Sequence, residues 1–104
     1  MNSPSIPKIL RALSNENRMQ ILEWILDPVP NFPPQQDGDL VEDGVCVGFI
    51  TEKIGLSQPT VTNHMRQLAD AGLVTHTQIK NWVFYKPDRD AIANILRELA
   101  MRLK

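Results

Sequence analysis

Apolar positions in this chain recur at helical spacing in five places, as β-branched and aromatic runs in two, and hardly at all across one proline-rich acidic stretch. Ile6, Ile9, Leu10 and Leu13 form a stripe preceded by Ser5 and Pro7, which predicts a short first helix. Met19, Ile21, Leu22, Ile25 and Leu26, with Trp24 beside them, predict a second helix capped by Ser14 and ended by Asp27-Pro28. Phe49, Ile50 and Ile54 predict a third, stopping at Gly55, the residue best suited to a left-handed C-cap. Leu56 fills a tight turn. Ser57 is then a good N-cap for a helix that begins near Gln58, with Pro59 in its first turn, where the missing donor is harmless. This helix turns Val61, Met65 and Leu68 inward and ends at Ala71-Gly72.

Leu73 to Thr77 and Trp82 to Lys86 are β-branched and aromatic runs separated by Gln78 to Asn81, which is a hairpin signal. Asn81 tolerates the left-handed backbone that such a turn often needs. Asp88-Arg-Asp90 can cap a last helix running to Leu103, striped by Ile92, Ile95, Leu96, Leu99 and Leu103. Helix, turn, helix and hairpin in succession read as a winged helix-turn-helix. The fold class is mostly α with a small β-hairpin, in the order α-α-α-α-β-β-α.

With Val61, Met65 and Leu68 inward, the outward face of the helix from Gln58 to Ala71 carries Pro59, Thr60, Thr62, Asn63, Arg66 and Gln67. An ordinary solvated face carries Glu and Lys. Gln, Asn, Thr and Arg are the side chains that bond base edges and phosphates in a major groove. The alternative is a surface helix that happens to be rich in amides. The DNA-contacting set is Ser57, Gln58, Thr60, Thr62, Asn63, His64, Arg66 and Gln67 on this helix, with Lys80 near the wing tip placed to meet a phosphate. Gln58, Thr60 and Asn63 are assigned to base edges, because residues near the helix N-terminus reach them in helix-turn-helix docking. Arg18 is assigned a structural role, as an ion-pair partner of Glu16 or Glu23, in preference to a contact with the DNA backbone.

From Leu13 to Tyr85 the chain resembles the ArsR/SmtB-type bacterial repressors. Leu13-Ser14 with Arg18 and Ile21-Leu22 is similar to that family's opening helix pair, and Val45-Cys-Val-Gly48 to the lead-in of its helix-turn-helix. Leu56-Ser-Gln-Pro-Thr-Val-Thr-Asn-His-Met65 resembles its recognition helix, and Gly72-Leu-Val74 with Val83-Phe-Tyr85 its wing. The resemblance implies a homodimer in which the first and last helices pair with their counterparts. The seam would use Ile6, Ile9, Leu10 and Leu13 with Ile92, Ile95, Leu96, Leu99 and Leu103. A monomer folding the last helix on its own core would also bury that stripe. The dimer is preferred because two-fold symmetry lets two recognition helices meet successive half-sites of double-stranded DNA.

The resemblance leaves Pro28 to Gly44 unexplained. Pro28, Pro30, Pro33 and Pro34 remove backbone donors, and Asp37, Asp39, Glu42 and Asp43 resist burial. An irregular or partly mobile loop is expected, anchored by Phe32, Leu40 and Val41, as a spacer in preference to an effector site. The family's thiol metal sites use Cys-x-Cys, but Cys46 is followed by Gly48 in the second position. Its other metal site uses Asp and His on the last helix, and Asp88 to Lys104 contains no His. No metal and no cofactor are therefore expected. Cys46 reads as a small buried hydrophobe, and His64 as a packing or DNA-backbone residue.

The 104 residues, 42% hydrophobic, suit one domain spanning 1–104 with an insertion at about 28–44. A net charge of −1 means that DNA affinity must come from locally placed cations. One Cys excludes an internal disulfide, the N-terminus lacks export features, and no stretch reaches membrane-spanning length, so the cytoplasm is expected. Nucleophile, base and orienter do not recur at catalytic spacing and no phosphate loop is present, which argues against an enzyme. A winged helix that binds protein is the rival function, but it should expose apolar or acidic side chains on its recognition face. The effector is left open.

Overall fold

Every helix that the apolar spacing predicts is present in the computed structural model, which describes residues 5–104. Residues 1–4, where the export reading begins, lie outside it. The order is α1 (Ile6–Leu13), α2 (Glu16–Leu26), α3 (Pro28–Asn31), β1 (Val45–Cys46), α4 (Val47–Ile54), α5 (Gln58–Asp70), β2 (Val74–Ile79), β3 (Trp82–Pro87) and α6 (Arg89–Arg102). The chain is mostly helical, with a three-stranded antiparallel sheet in the order β1-β3-β2. This is a winged helix-turn-helix, to which α3 and β1 are additions that the spacing did not predict.

The helix ends have local causes. Gly55 closes α4 with a left-handed φ of 76°, and Ser57 opens α5 by accepting the Thr60 N–H at 3.4 Å. Asp88 opens α6 by accepting the Ala91 N–H at 3.1 Å. The cap of α2 is Asn15, not Ser14. Ser14 is occupied as the C-cap of α1, its N–H bonding to the Leu10 carbonyl, and Asn15 has the extended backbone from which a side chain reaches the Arg18 N–H at 3.1 Å.

The hairpin pairs Val74 with Pro87 through Ile79 with Trp82 and turns at Lys80-Asn81. The left-handed residue is Lys80, with φ 56°, and not Asn81. Gln78 steadies it by donating to the Lys80 carbonyl at 3.2 Å, and the Lys80 side chain is itself tied down. Val45 pairs with Tyr85 and Cys46 with Phe84, so the peptide leading into α4 is a third strand of the wing. Two residues are too few to show alternation.

The core gathers on the inward face of α5. Val61, Met65 and Leu68 are fully enclosed, as are Ile21 and Ile50 from α2 and α4. Each such side chain contributes about 1.5–3 kcal/mol relative to exposure. Met19, expected inside, is exposed on α2, because Arg18 takes the inward position beside it. The segment from 28 to 44, expected to be irregular or mobile, is ordered by side chains that supply the bonds proline cannot. The Gln35 amide donates to the carbonyls of Gly44 at 3.0 Å and Gly38 at 3.4 Å, and accepts the Cys46 N–H at 2.8 Å. The Asp39 carboxylate accepts the N–H groups of Glu42 first and Val41 second, which hold its pKa below the ordinary carboxylate value. Phe32 is buried edge-on to Trp24, and Leu40 is half-buried, but Val41 points to solvent and is no anchor. Gly44 closes the segment at φ 104°, packed so tightly on the Tyr85 carbonyl that any side chain there would collide with it.

The two stripes assigned to a subunit seam divide between inside and outside. Ile6, Ile9 and Ile95 are buried within the chain, and Leu13, Ile92 and Leu99 are partly covered. Leu10 is 46% exposed, Leu96 61% and Leu103 77%. From Ala100 to Lys104 the end of the chain is exposed throughout. No helix among the described residues is long and apolar enough to cross a membrane.

Candidate nucleic-acid interface

The recognition face is set by the enclosure of Val61, Met65 and Leu68, which fixes the rotation of α5 about its axis. Ser57, Gln58, Thr60, Asn63, Arg66 and Gln67 are thereby exposed, and Thr62 is half-exposed. The Ser57 hydroxyl donates to Thr60 Oγ1 at 2.8 Å as well as accepting its N–H, so both hydroxyls sit in fixed positions at the helix start. Amides and hydroxyls at this end, with unpaired donors and the positive end of the helix dipole behind them, suit base edges and phosphates together. Arg66, further along the same face, supplies a full charge. It opposes the main effect on Tyr85 of the wing, whose phenol is pushed up by burial.

His64 does not belong to this surface. It is buried, and its Nδ1 lies 3.1 Å from Arg18 Nη1. A guanidinium only donates, so His64 is held neutral with Nδ1 as acceptor. Burial first and the Arg18 charge second push its pKa below 6.5. Arg18 also donates from Nε to the Ala12 carbonyl at 2.6 Å and from Nη2 to the Arg11 carbonyl at 3.3 Å. The partial negative charge at the C-terminus of α1 thus compensates a buried cation that has no carboxylate partner among the described residues. Arg18 is structural as expected, but it ties α1, α2 and α5 together from inside, where a surface pair with Glu16 or Glu23 was expected.

Lys80 stands at the wing tip and is exposed, but its ammonium is 2.9 Å from the Asp37 carboxylate of the insertion, which raises its pKa. The wing base is tied to the same insertion, since Lys86 Nζ donates to the Glu42 carbonyl at 3.0 Å. Sequence reasoning missed both ties. Opposite charges this far apart along a chain carry no signal until the fold brings them together.

The metal sites of the resembled family have no counterpart in the donors present. Among the described residues, no group of three or more His, Cys, Asp and Glu side chains is placed to hold a metal ion. Cys46 is a buried thiol whose backbone is committed to β3 and Gln35.

Comparison with known proteins agrees with this geometry. The model of the bacterial regulatory protein, arsR family, matches residues 40–76, from the insertion through α5 into β2. The chain is 38% identical over 88 residues to the uncharacterized HTH-type transcriptional regulator YbzH of Bacillus subtilis, covering 85% of this chain and 88% of that protein. It is 28% identical over 100 residues to the arsenical resistance operon repressor of Staphylococcus aureus, covering 95% of this chain and 81% of that one. Among solved structures, it superposes with a TM-score of 0.64 on the homodimeric winged helix-turn-helix DNA-binding domain of Mb0332 from Mycobacterium bovis. That match, at 19% identity, covers 93% of this chain and 78% of the other, and speaks for the fold.

Proposed function

Because this chain belongs to the ArsR family of bacterial regulatory proteins, and is thus a DNA-binding transcriptional regulator, we propose that it acts in the cytoplasm as a homodimeric repressor on an inverted-repeat operator. Two copies of α5 enter successive major grooves. Gln58, Thr60 and Asn63 meet base edges, while Ser57, Thr62 and Arg66 meet phosphates. The observation that carries this reading is the contrast across α5: an apolar triad fully enclosed on one side, and exposed amides, hydroxyls and one arginine on the other. Such a face offers bidentate partners to adenine and guanine but little to an apolar protein surface.

What α1 and α6 leave uncovered supports dimerisation. Leu10 and Leu96, with the partly covered Leu13, Ile92 and Leu99, form the residue of two apolar stripes whose other members already lie inside. An apolar strip of this kind is stabilised by a second copy related by a two-fold axis. The S. aureus relative is described as an operon repressor and the M. bovis domain as homodimeric, which supports both parts of the reading. The test is a gel-shift titration with DNA from upstream of the chain's own gene, alongside a reporter driven by that DNA. A retarded dimer complex and a silenced reporter are expected. No shift on any fragment would favour a protein-binding role, and a reporter that rises would make the chain an activator.

A further inference from the structure

A groove of about 430 Å³ lies between the insertion, the start of α4 and the face of β3. It is lined by the buried Phe84 and Cys46, by Phe49 and Trp82, and by the acidic residues Asp37 and Glu52. Nothing about DNA binding uses this space. Trp82 is 49% exposed on a strand whose Phe84 and Tyr85 are buried, so packing does not account for it. The size is that of a small-molecule site. The lining includes Asp37 and Glu52 and no Lys, Arg or His, and the one cation at its edge, Lys80, is held by Asp37, so Glu52 leaves the groove with an excess of negative charge. A metal ion is disfavoured by the donor set already described. Carboxylates beside the exposed Trp82 indole are what an organic cation with an apolar body requires.

We propose that this groove binds a hydrophobic organic cation, and that the occupant tightens DNA binding by taking the Asp37 carboxylate from Lys80. Asp37 is at once a wall of the groove and the partner of Lys80 at 2.9 Å. A cationic ligand competes directly for it. Release leaves Lys80 free at the wing tip to meet a phosphate, which adds a counterion-releasing contact. This second half rests on the DNA-binding reading above; the first half does not.

The experiment therefore has two arms. Equilibrium dialysis of the full chain, without DNA, uses tetraphenylphosphonium as the probe and the isosteric anion tetraphenylborate as comparator. Saturable binding of one cation per chain, weakened at least about fivefold by Glu52→Gln and by Trp82→Leu, is expected from the size of cation–π and ion-pair terms. Both positions are exposed and away from the core, and circular dichroism confirms that the variants fold. Equal binding of the two ions, no saturation, or indifference to both substitutions would overturn the site. In the second arm, the cation should tighten binding to duplex DNA and steepen the salt dependence by about one counterion. Loss of this effect in Asp37→Asn is expected. Dialysis binding with no change in DNA affinity would overturn the regulatory half, whereas a chain that binds no DNA at all would fault the functional reading and leave the dialysis result standing.

Discussion

The guanidinium of Arg18 and the imidazole of His64 lie 3.1 Å apart in a buried space where α2 meets the recognition helix. Among the described residues, neither has a carboxylate partner. The arrangement is satisfied only while the imidazole is neutral, and it makes the placement of α5 depend on proton concentration.

The sign of that dependence follows from the lowered pKa of His64. Above the unfolded value, about 6.5, both states are neutral and the stabilisation is complete. Below it the unfolded chain takes up a proton that the folded chain resists, so stability falls from there down to the folded pKa and then levels. Urea midpoints measured from about pH 8 to about pH 5 should decline across this window. His64→Gln, which keeps an acceptor for Arg18 without titrating, should flatten the decline. An equal slope in the variant would remove His64 from the account.

Arg18→Ala should be among the most damaging single changes, costing about 3 kcal/mol or more. It orphans the carbonyls of Ala12 and Arg11 and leaves His64 Nδ1 without a donor. Chemical denaturation provides the measure, and a loss below about 1 kcal/mol would show that water substitutes for the guanidinium.

On the recognition face, Asn63→Ala should weaken operator binding by about 1–3 kcal/mol while leaving a scrambled duplex nearly unaffected. Arg66→Ala should weaken both alike and reduce the salt slope by about one. Paired isotherms across a salt series separate the two roles. Equal losses on both duplexes for Asn63→Ala would mean that α5 positions the protein without reading sequence.

At the wing, Asp37→Asn should tighten binding to any duplex, and Lys80→Ala should cost more in that background than in the wild type. Lys80 is exposed and Asp37 half-buried at the edge of the wing, so neither substitution reaches the core and both variants remain testable. A double-mutant cycle with no coupling would show that the ion pair does not restrain Lys80.

For assembly, Leu96→Glu should raise the dimer dissociation constant about a hundredfold, since desolvating a carboxylate in an apolar seam costs at least about 2–3 kcal/mol. The subunit's own melting should hardly change, because Leu96 is exposed in the single chain. Ile95→Glu instead places its charge inside the core and should unfold the subunit. Sedimentation equilibrium distinguishes these, and wild-type protein that is monomeric at micromolar concentration would refute the seam.

The recognition helix was legible because all its determinants are local: the Gly55 stop, the Ser57 cap and the apolar triad lie within one run of residues. What was not legible depends on partners far along the chain. Val45-Cys46 becomes a strand only when β3 is beside it, and the insertion is ordered by a single amide, Gln35, bridging both its arms. His64 was placed with the DNA-facing residues because its helical position permits either side. Only the presence of Arg18 inside decides it. The seam stripes were recognised as apolar, but spacing alone could not divide Ile6 and Ile9, which the chain covers itself, from Leu10, which it does not.

The insertion leaves the body at Pro28 and rejoins it at Gly44, and both ends are buried anchors. Between fixed ends, doubling the length of a flexible loop costs only about 0.6 kcal/mol. Its exposed tip around Val41, beyond these anchors, can therefore be lengthened or recomposed with little penalty to the helices of the body. On the proposed reading, the segment that touches the groove and the helix that addresses DNA are separate parts of the chain, so that each can drift without dragging the other. Replacing residues 36–43 with a related chain's segment should alter the response to the cation proposed above, through Asp37, while paired isotherms show operator choice unchanged.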